Sequence, residues 1–499
     1  MEDLEKYDIH RHSRSKRAFG SFFSSNVEEL LTFQDWIAPP LPFDLPSELS
    51  KWLDPEVPTQ ISTTSIIACG QSMDSEELKK LLFHLTDKYT FLNHGAFGAA
   101  LRPIQELQYL WMQYIDSQPV KFFDREIFSY LCDNIRSFAE YVRLQDPREL
   151  VLIQNATYGM NAVMKGLLNA VHLQTLPPEL NNAREYVIVH FSFTYPSTIK
   201  LLKSIVEQAS HIDMQCVTGK IQQSKPRIRR LEIPICLPIL SFEEIISSLV
   251  NVLKKNWLEH SVSLAVILDI IPSTIPISLP IQEIIAACRE VSPQTFIVLD
   301  GAHFLGSNRI DLSKLDADFL VCNCHKWLCA PKGTAFLWCP KKNQYLIPPL
   351  IVSHGYGSGF SSSYAWQGLQ NYSSWLVLKH VVSLSKRVFP NGVCHITRPL
   401  LDAAAALLST KWGTSLPIPL ELCKNSPMRL VELPQVRLID EDSKIDYCVA
   451  EKVQNALFFD HQIEVPIKAL FGKLYVRISG HVYNHISNFE HLASAVLLL

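Results

Sequence analysis

From about residue 86 onward, short unbroken apolar runs alternate with helical patterns, and this alternation restricts the chain more than any other feature. ELVLIQN (149–155), EYVIVHF (185–191), SLAVILDII (263–271), TFIVLD (295–300), DFLVCNC (318–324) and GTAFLWC (333–339) read as strands. ATYGMNAVMKGLLNAV, PSTIKLLKSIVEQA and LPIQEIIAACREV read as helices between them. Strands that are apolar on both faces must be covered on both faces, so the pattern predicts an α/β fold with a large, mostly parallel sheet. Ligands of such sheets sit beyond the carboxyl ends of the strands, and chemistry is expected just after each run. Residues 86–372 are assigned to this large domain. Residues 1–85, with a basic cluster and the proline-rich APPLPFDLP, are expected to be an extension that wraps or precedes it. Residues 373–499 open on the helical pattern SSWLVLKHVVSLSKRVF, include QIEVP and LYVRISG, and are expected to form a smaller α+β domain. VTGKIQQSKPRIRRLEIP (217–234) reads as a solvated surface loop.

Composition narrows the function classes. A net charge of −3 over 499 residues gives no pull toward nucleic acid or anionic lipid. No apolar run is long and uniform enough to span a bilayer. The first residues, MEDLEKYDIHRHSRSKR, lack the apolar core of a secretory signal, and Glu2, Asp3, Glu5 and Asp8 are out of place in a transit peptide. The 12 cysteines follow no framework and read as free thiols of a reducing, cytoplasmic protein.

Four segments carry the chemistry. In LDGAHFLG (299–306), Asp300 ends a buried strand, where a carboxylate is costly unless it meets a cation such as a protonated pyridine nitrogen. In NCHKWLCAPKG (323–333), Lys326 follows the next strand; desolvation there favours a neutral amine able to condense with an aldehyde. Either residue alone would be an ordinary cap or surface charge, but together they end neighbouring strands and face one ligand. In QNATYGMNAV (154–163), Ala156 and Thr157 start a helix whose free N–H groups suit an anion. In HFSFTYPSTIK (190–200), Tyr195 stands at the same edge with a ring able to stack on a ligand. A metal site from His94, His303, His325 and His354 is the weaker reading, because their spacing fits no compact zinc pattern.

Taken together, these segments resemble the class V aminotransferase family of fold-type-I enzymes that use pyridoxal 5′-phosphate (PLP). The branch with isopenicillin-N-epimerase-like, cysteine-desulfhydrase-like and hercynylcysteine-sulfoxide-lyase-like members is the nearest in pattern. FLNHGAFG (91–98), QNATYGMN, FTYPSTIK, LDIIPSTIPISLP (268–280), LDGAHFLG, CHKWLCAPKG and LYVRISGHVYN (474–484) occur in the family's order across roughly residues 85–490. The resemblance implies Lys326 as the Schiff-base lysine and acid/base at Cα, Asp300 as partner of the pyridine nitrogen, and His303 near the ring hydroxyl. It implies Tyr195 stacked on the ring, Ala156 and Thr157 on the phosphate with His325 nearby, and Ser273 as a further cofactor contact. Arg477 would grip the substrate carboxylate, a task suited to its bidentate fork, and Asn93 and His94 would line the substrate pocket. The substrate would be small and amino-acid-like, and the enzyme a homodimer. A C–S lyase is ranked first, with epimerase or aminotransferase on the same scaffold as the alternative and a catalytically silent PLP-fold binding protein as the rival of another class. Cys324 and Cys329 flank Lys326 but read as packing thiols rather than as a desulfurase nucleophile.

Two segments depart from the family. In WQGLQN (366–371), Leu369 replaces a threonine that reaches phosphate in the neighbouring subunit, and Asn371 replaces an aspartate; Ile270 replaces a histidine. Loss of the threonine removes a phosphate donor, so a PLP titration of the apo-protein is expected to show weakened binding, and tight binding would dismiss that expectation.

Overall fold

The computed structural model describes residues 27–53, 75–181, 183–214, 226–258, 261–440 and 443–499. The strands are β1 (Thr90–Phe91), β2 (Leu150–Ile153), β3 (Glu185–Phe191), β4 (Arg227–Ile233), β5 (Val262–Asp269), β6 (Phe296–Asp300), β7 (Phe319–Asn323), β8 (Ala335–Trp338), β9 (Met428–Glu432), β10 (Ile463–Glu464), β11 (Ile467–Leu470) and β12 (Lys473–Ser479).

Seven of them form one sheet in the order β2-β8-β7-β6-β5-β3-β4. Strand β8 runs antiparallel to both its neighbours, and the other pairings are parallel. The expected α/β class is therefore the observed one. Alternate residues of each strand enter different cores. Val189, Leu268, Leu299 and Leu320 pack on one face with the helix Ile127–Tyr141, and Ile188, Ile267, Val298 and Val321 pack on the other with the helix Ala156–Leu173. Burial on both faces is why these strands read as continuous apolar runs rather than alternating ones.

The segment 217–234 needs correction. Its residues 217–225 lie outside the described residues, but Arg227–Ile233 is not a loop: it is β4, the edge strand paired with β3. Its RIRRLEI sequence carries four charged residues among three apolar ones, and charges of this kind on an exposed edge discourage further strand pairing.

The extension is partly built into the large domain, while residues 1–26 and 54–74 lie outside the described residues. Helices Val27–Thr32, Ser47–Leu53 and Ser75–Leu82 bury Leu30, Leu31, Leu49, Leu53 and Leu82 in the first core. Arg136 donates to the carbonyls of Leu30 at 3.2 Å and Leu31 at 2.7 Å, which caps the first of these helices.

A second unit holds the antiparallel sheet β11-β12-β9 and the parallel pair β1-β10. Leu92, Leu401, Leu408, Val453, Val476 and Phe489 share its core. Two details concern the join between the units. Residues 90–92 join this unit through β1, and the helix Leu378–Val388 packs in the large-domain core, as do Ile418, Met428 and Tyr475 further along the chain. Among the described residues, no helix is long and apolar enough to cross a membrane.

Gly306 fixes how the loop after β6 meets the turn after β7. Its φ is +81°, and a Cβ there would lie 2.2 Å from the Leu328 nitrogen. Gly306→Ala is expected to lose about 1–3 kcal/mol through backbone strain, more if the turn must move, measured as a lowered urea midpoint. An unchanged midpoint would show that the two loops are not held in this way.

Candidate active site

Parallel register brings the chemistry to one edge of the large sheet. Asp269 at the end of β5 stands directly beside Asp300 at the end of β6, and Asp300 stands beside Val321 of β7. Three residues past β7 comes Lys326. A cleft of about 320 Å³ opens there and is lined by Asp269, Asp300, His303 and Lys326, with Tyr195, Ser273, Ala156, Thr157 and His325 around them.

Lys326 is 8% exposed. Burial pulls its ammonium down to about 8, against the attraction of Asp300. Its Nζ lies 3.1 Å from His303 Nε2, and Trp327 Nε1 donates to His303 Nδ1 at 3.2 Å. An indole N–H can only donate, so Nδ1 must accept and the neutral imidazole carries its proton on Nε2. That proton points at the lysine nitrogen, which can accept it only as a free amine. Burial and the neighbouring Lys326 hold His303 well below the usual histidine range, so it stays neutral. Trp327 thus acts through His303 to favour uncharged Lys326, a role that the sequence alone did not reveal because it depends on ring orientation.

Behind the lysine lies a packed polar bed. His94 is held by Tyr483 Oη at 2.8 Å and by the Lys326 carbonyl at 3.0 Å. It is 1% exposed and does not line the cleft, which corrects its expected substrate contact. Among the described residues, the one His/Cys/Asp/Glu group with ligand-like spacing is His94, Cys329 and His481, so the four histidines weighed as a metal set do not gather. Both His94 nitrogens are already engaged, and burial holds His94 down to about 3 and the Cys329 thiol up to about 12. The group is therefore read as neutral packing under the Lys326 backbone.

Asp300 accepts the Ala302 N–H at 2.9 Å. Asp269, named in the sequence only as part of a motif, is 4% exposed and takes one N–H, from Tyr195 at 3.3 Å. Burial raises both carboxyls, and Asp300 raises Asp269 further. The sequence signal for Asp269 was present: like Asp300, it is an acid ending a continuous apolar strand.

At the other end of the cleft the helix Ala156–Leu173 begins. Asn155 caps it by accepting the Tyr158 N–H at 2.9 Å. The Ala156 N–H is not free for an anion, since it donates to Asn323 Oδ1 at 2.9 Å, so that part of the expected phosphate contact is corrected. Thr157 and His325 remain at the cleft. His325 Nδ1 faces the Thr334 carbonyl at 3.1 Å, leaving Nε2 for a ligand, and burial draws its pKa down to about 4.

Arg477 on β12 is buried. It donates to Ser273 Oγ at 2.7 Å, to the Ser273 carbonyl at 2.9 Å and to Asn93 Oδ1 at 3.1 Å. Ser273 and Asn93 therefore hold the guanidinium, and Ser273 also lines the cleft. Arg477 Nε has no partner. Tyr195, 39% exposed, leaves its ring on the cleft rim.

The residues present fit PLP. A neutral amine suits its aldehyde, a buried acid suits a pyridinium, and the start of a long helix suits a phosphate. The comparisons agree. The family model Aminotransferase class-V matches residues 263–368. An L-cysteine desulfhydrase of Arabidopsis thaliana is 27% identical over 424 residues, 81% of this chain and 86% of the relative. The hercynylcysteine sulfoxide lyase of Schizosaccharomyces pombe is 25% identical over 248 residues, 46% of this chain and 58% of that protein. The solved complex of the cystine C–S lyase C-DES with cysteine persulfide superposes with a TM-score of 0.60 at 16% identity, covering 82% of this chain and 98% of that one. The resemblance to class V aminotransferases read from the motifs is borne out, and the solved structure shows the same fold.

Trp327→Phe keeps the ring and removes the donor. The freed His303 no longer disfavours the ammonium, so the Lys326 pKa is expected to rise above about 8 by up to roughly one unit. The check is to expose apo-protein to PLP at a series of pH values, reduce with borohydride and map the labelled fraction of Lys326. A midpoint that does not move toward higher pH would exclude the tautomer argument, whatever happens to stability.

Proposed function

We propose that this chain is a PLP-dependent lyase that breaks the C–S bond of a small amino acid, with Lys326 as the acid/base. The observation that carries the reading is the Trp327–His303–Lys326 chain, which holds a buried amine ready to take a proton beside a buried acid. PLP, when bound, supplies the electron sink for charge at the substrate Cα. Asp300 keeps positive charge at the ring nitrogen. Thr157 and the helix start hold the phosphate, with His325 beside them. Arg477, fixed by Ser273 and Asn93, binds the substrate carboxylate and so aims the Cα proton at Lys326. Lys326 takes the Cα proton and returns it to the departing sulfur, which leaves Cβ as a thiol or sulfide, and water hydrolyses the released enamine to pyruvate and ammonia.

Relatives named for cysteine desulfhydrase and sulfoxide lyase activity support the C–S bond as the target. Among the described residues no cysteine lines the cleft, and Cys324 and Cys329 are fully buried, so no thiol stands ready to accept sulfur as a desulfurase requires. A homodimer belongs to the same proposal. Near the cleft the surface exposes Phe97, Ile351, Val352 and Leu369, apolar residues that a second copy would cover. The own-chain segment around Leu369 lies beside the helix start, with Gln367 accepting from Tyr158 Oη at 2.6 Å and Gln370 accepting from Gln154 at 3.0 Å. All ten described cysteines are free, which supports a reducing, cytoplasmic location.

A screen of amino acids and S-substituted cysteines on PLP-loaded protein tests the reading. Sulfide or thiol together with pyruvate is the expected product, and Lys326→Ala is expected to lower its rate roughly 10²–10⁴-fold. Keto acid matching the intact substrate would mean transamination, loss of optical rotation would mean epimerisation, and no turnover would leave a binding protein.

A further inference from the structure

The small antiparallel sheet sorts its side chains by face. Ile467, Leu474, Val476 and Ile478 enter the core of the second unit, whereas Tyr475 and Leu470 pack on the core of the large domain. Strand alternation places Lys468 and Arg477 on that same large-domain face. Lys468 stands opposite Tyr475, and Arg477 is two residues further along β12. The two cationic residues are thus diagonal neighbours, roughly 7–8 Å apart at the backbone.

Among the described residues neither has an anionic partner. Arg477 spends its bonds on Ser273 and Asn93, and its Nε is unbonded. The Lys468 side chain makes no hydrogen bond or ion pair among the described residues. The nearest acid along the chain, Glu464, is engaged by the Asn93 amide at 2.9 Å. Burial and the neighbouring Arg477 pull the Lys468 ammonium down to about 8. Two poorly solvated cations side by side are costly, and an anion relieves the cost. The α-carboxylate of an amino acid relieves it at Arg477, leaving Lys468 for a second anionic group.

We infer that Lys468 is a specificity-determining residue that receives an acidic group on the side-chain end of the substrate. The inference rests on the cleft being an amino-acid site with Arg477 on the α-carboxylate. Combined with C–S cleavage, it names the substrate class: cysteine S-conjugates, or their sulfoxides, whose sulfur substituent bears a carboxylate, in preference to cysteine itself.

Equilibrium binding to the PLP-loaded full chain tests this separately from turnover. S-carboxymethyl-L-cysteine and S-ethyl-L-cysteine differ little in reach but differ by one charge, and calorimetry or the cofactor's absorbance change reads their affinities. The intact protein is expected to bind the carboxymethyl compound at least about 10-fold more tightly, the usual scale for a charge-assisted contact. Lys468→Met should abolish the preference while changing S-ethyl-L-cysteine affinity less than about 2-fold, and Lys468→Arg should keep it. Equal affinities in the intact protein, no binding of either compound, or a preference that survives Lys468→Met would overturn the inference. Preferential binding without product release would leave it standing and sink the lyase reading; turnover of neutral conjugates without a charge preference would do the reverse.

Discussion

A donor-only indole sets the protonation of the whole site. Because Trp327 can only give a hydrogen bond, His303 must receive one, and the imidazole then offers its own proton to Lys326. The amine is discouraged from charging on two independent counts, by loss of water and by a neighbour that needs its lone pair. Burial is the larger of the two and draws the ammonium down to about 8. The His303 proton adds to that preference for the free amine, while Asp300, a little further along the edge, keeps an opposing pull on it.

Everything else at the edge serves to hold that arrangement still. Parallel pairing of β5, β6 and β7 fixes the lateral spacing of the acids and the lysine turn. Close backbone contacts fix their depth. A Cβ on Gly98 would lie 2.3 Å from the His325 carbonyl, and one on Gly306 would overlap the Leu328 nitrogen. The turn bearing Lys326 is therefore clasped from both sides by backbone that only glycine allows, with φ of +69° at Gly98. Tolerance for error in the amine's position is small, as proton transfer at a defined carbon requires.

The parts of this site that sequence could show are those set by backbone periodicity. Asp300 and Lys326 were legible because each follows an apolar run, and a parallel sheet puts all such ends on one side. Arg477 was legible through its motif. Hydrogen-bond accounting was not. That the Ala156 N–H is spent on Asn323, that Ser273 and Asn93 clamp Arg477, and that His94 turns under the lysine are facts of side-chain direction with no periodic signature. The edge strand Arg227–Ile233 was not legible for a different reason: adjacent Arg229 and Arg230 break the period of two, and its charges follow a polar stretch and merge with it.

The paired acids show how this edge presents a single charge to a ligand. Asp269 and Asp300 are lateral neighbours on strands roughly 5 Å apart. Two carboxylates at that separation repel by about 3 kcal/mol even at an effective dielectric of 20, so one of them keeps its proton. Asp300 has the Ala302 N–H at 2.9 Å and the nearby lysine to favour its charge. Asp269 has the longer Tyr195 N–H and the Thr194 side chain beside it, but Lys326 bears less on it than on Asp300 and its second oxygen has no partner. The proton therefore belongs on Asp269, and Asp300 is the anion. One negative charge at the sheet edge matches one positive ring nitrogen, whereas two would bind the ring while leaving an unpaired charge buried beneath it. The same neutral acid has a second effect: by holding the Tyr195 backbone N–H, it sets where the chain leaves β3 and so keeps the tyrosine ring at the rim of the cleft.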